Sequence, residues 1–144
     1  DINSNPNNPI IGTRAISDNP YIVSKYGLEI VKLFLKHKII PVVKHFPGHD
    51  NVSIDSHKNL PTSQVDGEHF LEHTRMFKEV IESENPPLVM TAHVLFPKID
   101  PVYPATLSPT LISALRNDYN YSGVIFEEKK TGYICEEKND NCHY

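Results

Sequence analysis

Apolar residues recur at helical spacing in three segments of the chain. The first segment follows Ser17-Asp18-Asn19-Pro20, a helix-start signal with proline at the first helical position, and continues to about His37. The second is predicted to begin near Ser63, since Ser63 and Asp66 match a loose capping box, and the third begins at Ser108-Pro109. The apolar stripes of the three helices are Ile22, Val23, Tyr26, Ile30, Val31, Phe34 and Leu35, then Phe70, Phe77, Val80 and Ile81, then Leu111, Ile112 and Leu115.

Three shorter runs are continuously apolar and predict buried strands, at residues 39–43, 88–92 and 123–126. The connection through Pro97, Pro101 and Pro104 is predicted to be a loop. Helices alternate with these strands along the chain, an order typical of a parallel sheet with helical crossovers. The predicted fold class is therefore α/β.

Each predicted strand ends at polar residues. Lys44-His45 follows the first strand, His93 the second, and Glu127-Glu128 the third. Because the carboxyl ends of neighbouring parallel strands face one crevice, we expect these titratable groups to gather at a single site.

The segment after the first strand is the richest in chemistry. Residues 44–49 read K-H-F-P-G-H, and Asp55-Ser56-His57 follows shortly after. Pro47 and Gly48 exclude a helix, so we expect a long loop leaving the strand. A carboxylate beside a histidine can bond one ring nitrogen and leave the other as an acid or base, which makes Asp55 and His57 catalytic candidates. The alternative is a solvated pair on a loop.

A metal site is the main competing interpretation of this loop. Its candidate ligands are His45, His49, Asp50, Asp55, His57 and His93. No H-E-x-x-H or C-x-x-C signature is present, and Lys44 would repel a cation bound at His45. We therefore predict neither a metal nor a cofactor. Arg14 has two open interpretations, as a surface cation or as a fork for hydroxyl or carboxylate groups in the crevice.

The other histidines and the cysteines are assigned no chemistry. His37 is expected at a helix C-terminus, where its charge is favourable. His69 and His73 are expected on a solvated helix face. Cys135 and Cys142 lie in the polar last part of the chain, which excludes a disulfide framework for the whole domain.

Composition narrows the range of partners. The 144 residues carry a net charge of −4 and no basic stripe, which disfavours nucleic-acid binding. No apolar stretch approaches the roughly 20 residues that span a bilayer, so no membrane partner is expected. No signal peptide is visible, which slightly favours the cytoplasm.

These motifs together resemble the catalytic domain of glycoside hydrolase family 3, in its bacterial β-N-acetylglucosaminidase branch. Residues 1–14 resemble the branch's segment ending in I-G-x-R, and residues 44–57 resemble its K-H-F-P-G-H-G-x(4)-D-S-H signature. Met90-Thr91-Ala92-His93 and residues 104–108 resemble its M-T-A-H and P-A-T-L-S segments. The likeness covers residues 1–126 in the family's order.

The resemblance implies a (β/α)8 TIM-type barrel that removes terminal non-reducing N-acetylglucosamine from β-linked glycosides, such as peptidoglycan fragments, with retention of configuration. It implies that His57 is the general acid/base, polarised by Asp55. It also implies that Arg14, Lys44 and His45 bind a small carbohydrate substrate, with no cofactor.

The sequence departs from the family after the third strand. Glu128 aligns with the family's Asp nucleophile, and its extra methylene shifts the carboxylate by more than about 1 Å, a displacement that costs on the order of 100-fold in rate. Residues 1–126 are therefore taken as a partial catalytic domain and 127–144 as a divergent polar tail. Since a full barrel takes about 250 residues, we expect an unclosed sector, from an incomplete or degenerate member of the family. The alternative function is a non-catalytic sugar-binding remnant.

Overall fold

The computed structural model describes residues 1–8, 10–49, 52 and 60–127. A 3-10 turn, Gly12–Arg14, precedes the first helix, and a π-helical turn, Ala114–Asp118, follows the last one. The elements in chain order are α1 (Pro20–Lys36), β1 (Val42–Phe46), α2 (Gly67–His73), α3 (Arg75–Glu84), β2 (Leu88–Thr91), β3 (Leu95–Phe96), β4 (Asp100–Pro104), α4 (Pro109–Ser113) and β5 (Val124–Phe126).

Three parallel strands form the main sheet in the order β1-β2-β5. The helical segments α2 and α3 connect β1 to β2, and α4 with its π turn connects the β3–β4 hairpin to β5. This arrangement confirms the predicted α/β class with its parallel sheet and helical crossovers.

Helix α1 begins where the sequence predicts. The Asn19 side chain accepts hydrogen bonds from the Tyr21 and Ile22 amides at 2.9 and 3.4 Å, and Pro20 occupies the first helical position. The helix ends at Lys36, with His37 as its C-cap. Both predicted ends are therefore confirmed.

The first strand lies three residues later than predicted, at Val42–Phe46 rather than 39–43. Ile39 and Ile40 are 53% and 66% exposed, and pairing with β2 starts only at Val42 opposite Leu88. An apolar run alone does not locate a strand, because hydrogen bonding to the neighbouring strand fixes its ends. Lys44 and His45 are consequently strand residues rather than loop residues.

The second predicted helix is divided into α2 and α3, and it starts later than Ser63. Asp66 caps α2, accepting from the His69 amide at 3.1 Å, whereas the Ser63 hydroxyl accepts from the Val65 amide. The helical pattern breaks at Thr74. The predicted stripe is confirmed, with three of its members buried: Phe77, Val80 and Ile81.

The two α2 histidines differ in their surroundings. His69 is exposed, and its hydrogen bond to Asp66 raises its pKa. His73 is half-buried, with its ring centroid 6.3 Å from that of Phe96, so the prediction of a solvated face is wrong for this residue. The hairpin that carries Phe96 covers this side of α2.

The proline-rich connection is not a simple loop but contains the antiparallel hairpin β3–β4. Asp100, 8% exposed, accepts from the amides of Val102 and Tyr103 at 3.0 Å and from the Ser108 hydroxyl at 2.6 Å. Ser108 in turn caps α4, accepting from the Leu111 amide at 3.2 Å. One buried carboxylate thus joins the hairpin to the next helix.

The core lies between the sheet and the helices. Phe46 of β1 packs edge-on against the rings of Phe70, Phe77 and Tyr119, with centroids 6.3, 5.5 and 6.2 Å away. Burying Phe46 on this side fixes the β1 backbone that carries Lys44 and His45. Among the described residues, no helix has the length and apolar character needed to cross a membrane.

Candidate active site

His45 is held by the carboxylate of Asp1. Asp1 Oδ2 lies 2.6 Å from His45 Nδ1, and the two side chains are 7% and 12% exposed. Asp1 Oδ1 also accepts from the His45 and His49 amides, at 3.2 and 3.0 Å. Because an ionised carboxylate can only accept, the His45 proton that faces it sits on Nδ1.

A second acid–histidine pair lies at the ends of β2 and β5. His93 Nδ1 is 3.8 Å from Glu127 Oε2, a separation for an ion pair rather than a direct hydrogen bond. The parallel register pairs Met90 with Phe126, so the residues after both strands emerge at the same edge of the sheet. The structure therefore brings together two of the predicted strand ends.

Lys44 and Arg14 line one cavity of about 180 Å³, together with Asp1. Lys44 projects from β1 and is half-buried. Arg14 ends the 3-10 turn, is exposed, and donates from Nη1 to the Ile10 carbonyl at 3.3 Å. The remaining lining is mostly apolar, so the cations and the Asp1 carboxylate are the cavity's main polar contacts.

The other predicted site residues fall outside the described part of the chain. Asp55, His57 and Glu128 belong to this group, and so does Asp50 of the metal hypothesis. Their roles remain predictions. Within the described ranges, no group of three or more His, Cys, Asp or Glu side chains is placed to hold a metal ion.

The sequence alone does not single out Asp1 as a site residue. It lies 44 residues from His45, so no local spacing links the two. The one sequence feature that pointed to Asp1 is its position at the start of residues 1–14, the segment that ends in I-G-x-R. In the structure Asp1 contacts the K-H-F-P-G-H motif of residues 44–49.

Comparison with known proteins identifies the family of this chain. The Glycosyl hydrolase family 3 N terminal domain model matches residues 1–138. The chain belongs to glycosyl hydrolase family 3. The parallel sheet with its crossovers is accordingly a sector of that family's TIM-type N-terminal domain.

Several known proteins are similar to this chain in sequence or in fold. Beta-hexosaminidase A of Pseudoalteromonas piscicida is 37% identical over 137 residues, covering 86% of this chain and 23% of the relative. A glycoside hydrolase family 3 beta-N-acetylglucosaminidase from Paenibacillus has a TM-score of 0.85 at 40% identity, covering 89% of this chain and 25% of that one. NagZ from Neisseria gonorrhoeae, in complex with N-trifluoroacetyl-D-glucosamine, has a TM-score of 0.77 at 33% identity, covering 85% and 36%. The chain thus spans about a quarter to a third of the length of these relatives.

Proposed function

We propose that this chain is part of a retaining β-N-acetylglucosaminidase, which releases terminal non-reducing N-acetylglucosamine from β-linked glycosides such as peptidoglycan fragments. The observation that carries the proposal is the Asp1–His45 contact beside Lys44, in a chain 40% identical to the Paenibacillus beta-N-acetylglucosaminidase. It supplies an oriented imidazole and an ammonium group near the carboxyl edge of the sheet, where barrels of this type bind their substrates.

In this proposal Arg14, Lys44 and His45 bind the sugar. Hydroxyl and acetamide oxygens accept hydrogen bonds, and charged donors make stronger ones than neutral donors do. Arg14 and Lys44 line one cavity together with Asp1, which supports a shared role for the two cations. The ligand named for the gonococcal structure, N-trifluoroacetyl-D-glucosamine, is of the same chemical class.

His57 and Asp55 supply the proton chemistry. In the mechanism that the D-S-H resemblance implies, Asp55 is the hydrogen-bond partner of one His57 ring nitrogen and the other ring nitrogen transfers the proton. His57 protonates the leaving oxygen while a carboxylate attacks the anomeric carbon, which breaks the glycosidic bond and forms a glycosyl-enzyme. His57 then takes a proton from the water that hydrolyses this intermediate.

Glu128 stands at the position of the attacking carboxylate. A glutamate side chain is one methylene longer than the family's aspartate, and a shift of the carboxylate by more than about 1 Å would slow attack on the order of 100-fold. Lys129 and Lys130 follow Glu128 where the family has an acid and an apolar residue. We therefore expect the 144-residue chain to bind N-acetylglucosamine with little or no hydrolysis. A sugar-binding remnant without catalysis is the second candidate. It keeps the three proposed sugar-binding residues, Arg14, Lys44 and His45, and lacks an aspartate nucleophile.

A hybrid enzyme tests the proposal. Residues 1–126 of this chain replace the matching sector of the Paenibacillus enzyme, which then provides the rest of the barrel and the carboxylate after the third strand. The hybrid should hydrolyse an aryl N-acetyl-β-glucosaminide. His57→Ala should slow a poor leaving group far more than a good one, because only the former needs a proton. His69→Ala, at an exposed histidine on α2, is the matched control.

Equal losses for both leaving groups would remove His57 from the acid/base role, and a folded but inactive hybrid would contradict the proposed function. A second hybrid, extended to residue 128, separates the two candidates. It should be slower on the order of 100-fold than the first. Equal rates would show Glu128 to be a competent nucleophile and would overturn the sugar-binding remnant.

A further inference from the structure

Strand β5 leads to the acid–histidine pair, yet its apolar pattern does not specify its register. Only three residue pairs join it to β2, centred on Val89 opposite Ile125. All three β5 residues are apolar, so a shift by one residue would still place an apolar side chain on each face of the sheet. Such a shift would also turn Glu127, whose Oε2 lies 3.8 Å from His93 Nδ1, to the other face. Contacts outside the strand must therefore select the register.

Arg116, in the π-helical turn before β5, binds the chain just ahead of the strand. Its Nη1 donates to the Tyr121 carbonyl at 2.8 Å and to the Gly123 carbonyl at 2.7 Å. Its guanidinium also lies over the Tyr121 ring, 5.4 Å from the centroid. The hydroxyl of this buried tyrosine donates in turn to the Val124 carbonyl at 3.1 Å. One cation thus holds the main chain at two points and packs on the ring that holds it at a third.

Asn85 attaches the same segment to the start of β2. It is the C-cap of α3, in the left-handed conformation with a φ of 41°, and Pro86 and Pro87 lead from it into β2. Its Oδ1 accepts from the Ser122 amide at 3.2 Å, and its Nδ2 donates to the Ser122 hydroxyl. The Val124 amide donates to the Pro87 carbonyl at 2.9 Å. The residues before β5 are therefore held against the residues before β2, which selects the pairs that the two strands form.

We propose that Arg116 and Asn85 are positioning residues that set the register of β5 against β2 and so place the Glu127 carboxylate beside His93. The register stands on the contacts above. Its consequence for catalysis rests on the proposed function, in which the attacking carboxylate follows β5. Successive side chains of a strand point to opposite faces, so a slip of one residue would turn that carboxylate away from the sugar. The two positioning residues thus act from the opposite end of β5.

Cross-strand nuclear Overhauser contacts test the register. The full chain, carrying a small soluble carrier domain after Tyr144, is labelled with ¹⁵N and ¹³C. In the unaltered chain we expect the strongest main-chain contacts of Val89 across the β2–β5 pair to be with Ile125. A slip of one residue would place Val124 or Phe126 opposite Val89 and give a second set of contacts.

The variants separate the register from stability and charge. Arg116→Ala combined with Asn85→Ala should add the second set of contacts. Arg75→Ala removes an exposed guanidinium that also lies over a tyrosine ring, 4.6 Å from its centroid, and should keep the single set. Asp100→Asn weakens the attachment of the β3–β4 hairpin to α4, so it is the control for lost stability, and it should also keep the single set.

Kinetics of the hybrid that carries residues 1–126 test the consequence for catalysis. Arg116→Ala should lower kcat by about tenfold or more and change KM by less than about twofold, because a displaced carboxylate slows attack while the proposed sugar-binding residues stay in place. Arg116→Lys should retain most of kcat, since Arg116 makes both carbonyl bonds from one nitrogen and an ammonium nitrogen can also donate to both. Arg75→Ala should change neither constant.

A different register in the unaltered chain, or a single set of contacts in the double variant, would overturn the proposal. Equal losses of kcat in Arg116→Ala and Asp100→Asn would overturn it too, and so would a rise in KM with kcat unchanged. If the double variant fails to fold, Asn85→Ala alone carries the same register test. A shifted register in the double variant together with an inactive unaltered hybrid supports the positioning role and counts against the proposed function instead.

Discussion

Asp100 is a residue whose ionisation stabilises the fold. Burial acts to raise its pKa, but the hydrogen bonds from the Ser108 hydroxyl and from the Tyr103 and Val102 amides outweigh burial and lower the pKa below the ordinary value of 3.8. A carboxyl group whose pKa is lower in the folded state than in the unfolded state stabilises the fold at pH values above the unfolded-state pKa. This contribution is lost as the pH falls through the folded-state pKa. The hairpin's attachment to α4 is therefore acid-sensitive.

Asp100→Asn should keep the contact geometry and lose the charge. We expect about 1–3 kcal/mol less stability at neutral pH, where the unaltered carboxylate is ionised. We also expect a smaller fall in stability between neutral pH and the range below 3.8. Denaturant unfolding at several pH values measures both, with Asp118→Asn as the exposed control. Parallel pH profiles for Asp100→Asn and the unaltered chain would contradict this account.

At the residue scale, the sequence predicted which residues belong to the candidate site better than it predicted which side chains contact one another there. Lys44, His45 and His93 were identified because they follow apolar runs, and the structure places them at or beside strand ends. The Asp1–His45 contact was not predictable in this way, because it depends on how the N-terminal segment packs beside β1. Long-range side-chain pairs of this kind are set by tertiary packing.

At the scale of elements, helix caps were the most reliable signals. Asn19-Pro20 and Ser108-Pro109 both start helices at the predicted residue, because the capping bonds are local to the sequence. The strand at 39–43 was displaced because strand ends depend on a partner. The hairpin β3–β4 was missed because three prolines suggested a loop, although Pro101 and Pro104 lie in its second strand.

Gly123, just before β5, packs too closely for any side chain. A Cβ there would overlap the Tyr121 side chain and lie 2.7 Å from the Pro86 carbonyl oxygen. Gly123→Ala should therefore cost about 1–3 kcal/mol, the usual range for overpacking. Gly27→Ala is the matched control, because nothing lies within 4 Å of its added Cβ in the middle of α1. It should be neutral or stabilising by up to about 1 kcal/mol.

Chemical denaturation at low protein concentration compares the two glycine variants. We expect a lower unfolding midpoint for Gly123→Ala and an equal or higher midpoint for Gly27→Ala. If both variants unfold at the midpoint of the unaltered chain, the close approach of Tyr121 and Pro86 to Gly123 is not a packing constraint.

At the scale of the whole molecule, α1 and the edge of β1 expose a broad apolar surface. On the helix, Tyr21, Tyr26 and Leu33 are 63%, 52% and 53% exposed. In the described sheet, β1 pairs with β2 on one side only. Surfaces of this kind, beside an open strand edge, favour association.

The 144-residue chain should therefore self-associate and be poorly soluble. Leu33→Lys with Phe34→Lys, at exposed apolar positions of α1, should shift it toward monomer in sedimentation across a concentration series. A control pair, Thr110→Lys with Asn117→Lys, adds the same charge at exposed polar positions and should change little. Equal gains from both pairs would attribute the effect to net charge rather than to the α1 surface.

We propose that this sector of the family 3 barrel recognises N-acetylglucosamine through residues at or near the ends of its strands. A titration of the ¹⁵N-labelled chain, carrying a small soluble carrier domain after Tyr144, with N-acetylglucosamine tests this directly. We expect saturable shifts confined to amides around Arg14, Lys44, His45 and His93, with a binding affinity that Lys44→Ala weakens by about 1–3 kcal/mol and Lys98→Ala leaves unchanged. Absence of shifts at these amides, or shifts that Lys44→Ala does not alter, would contradict it.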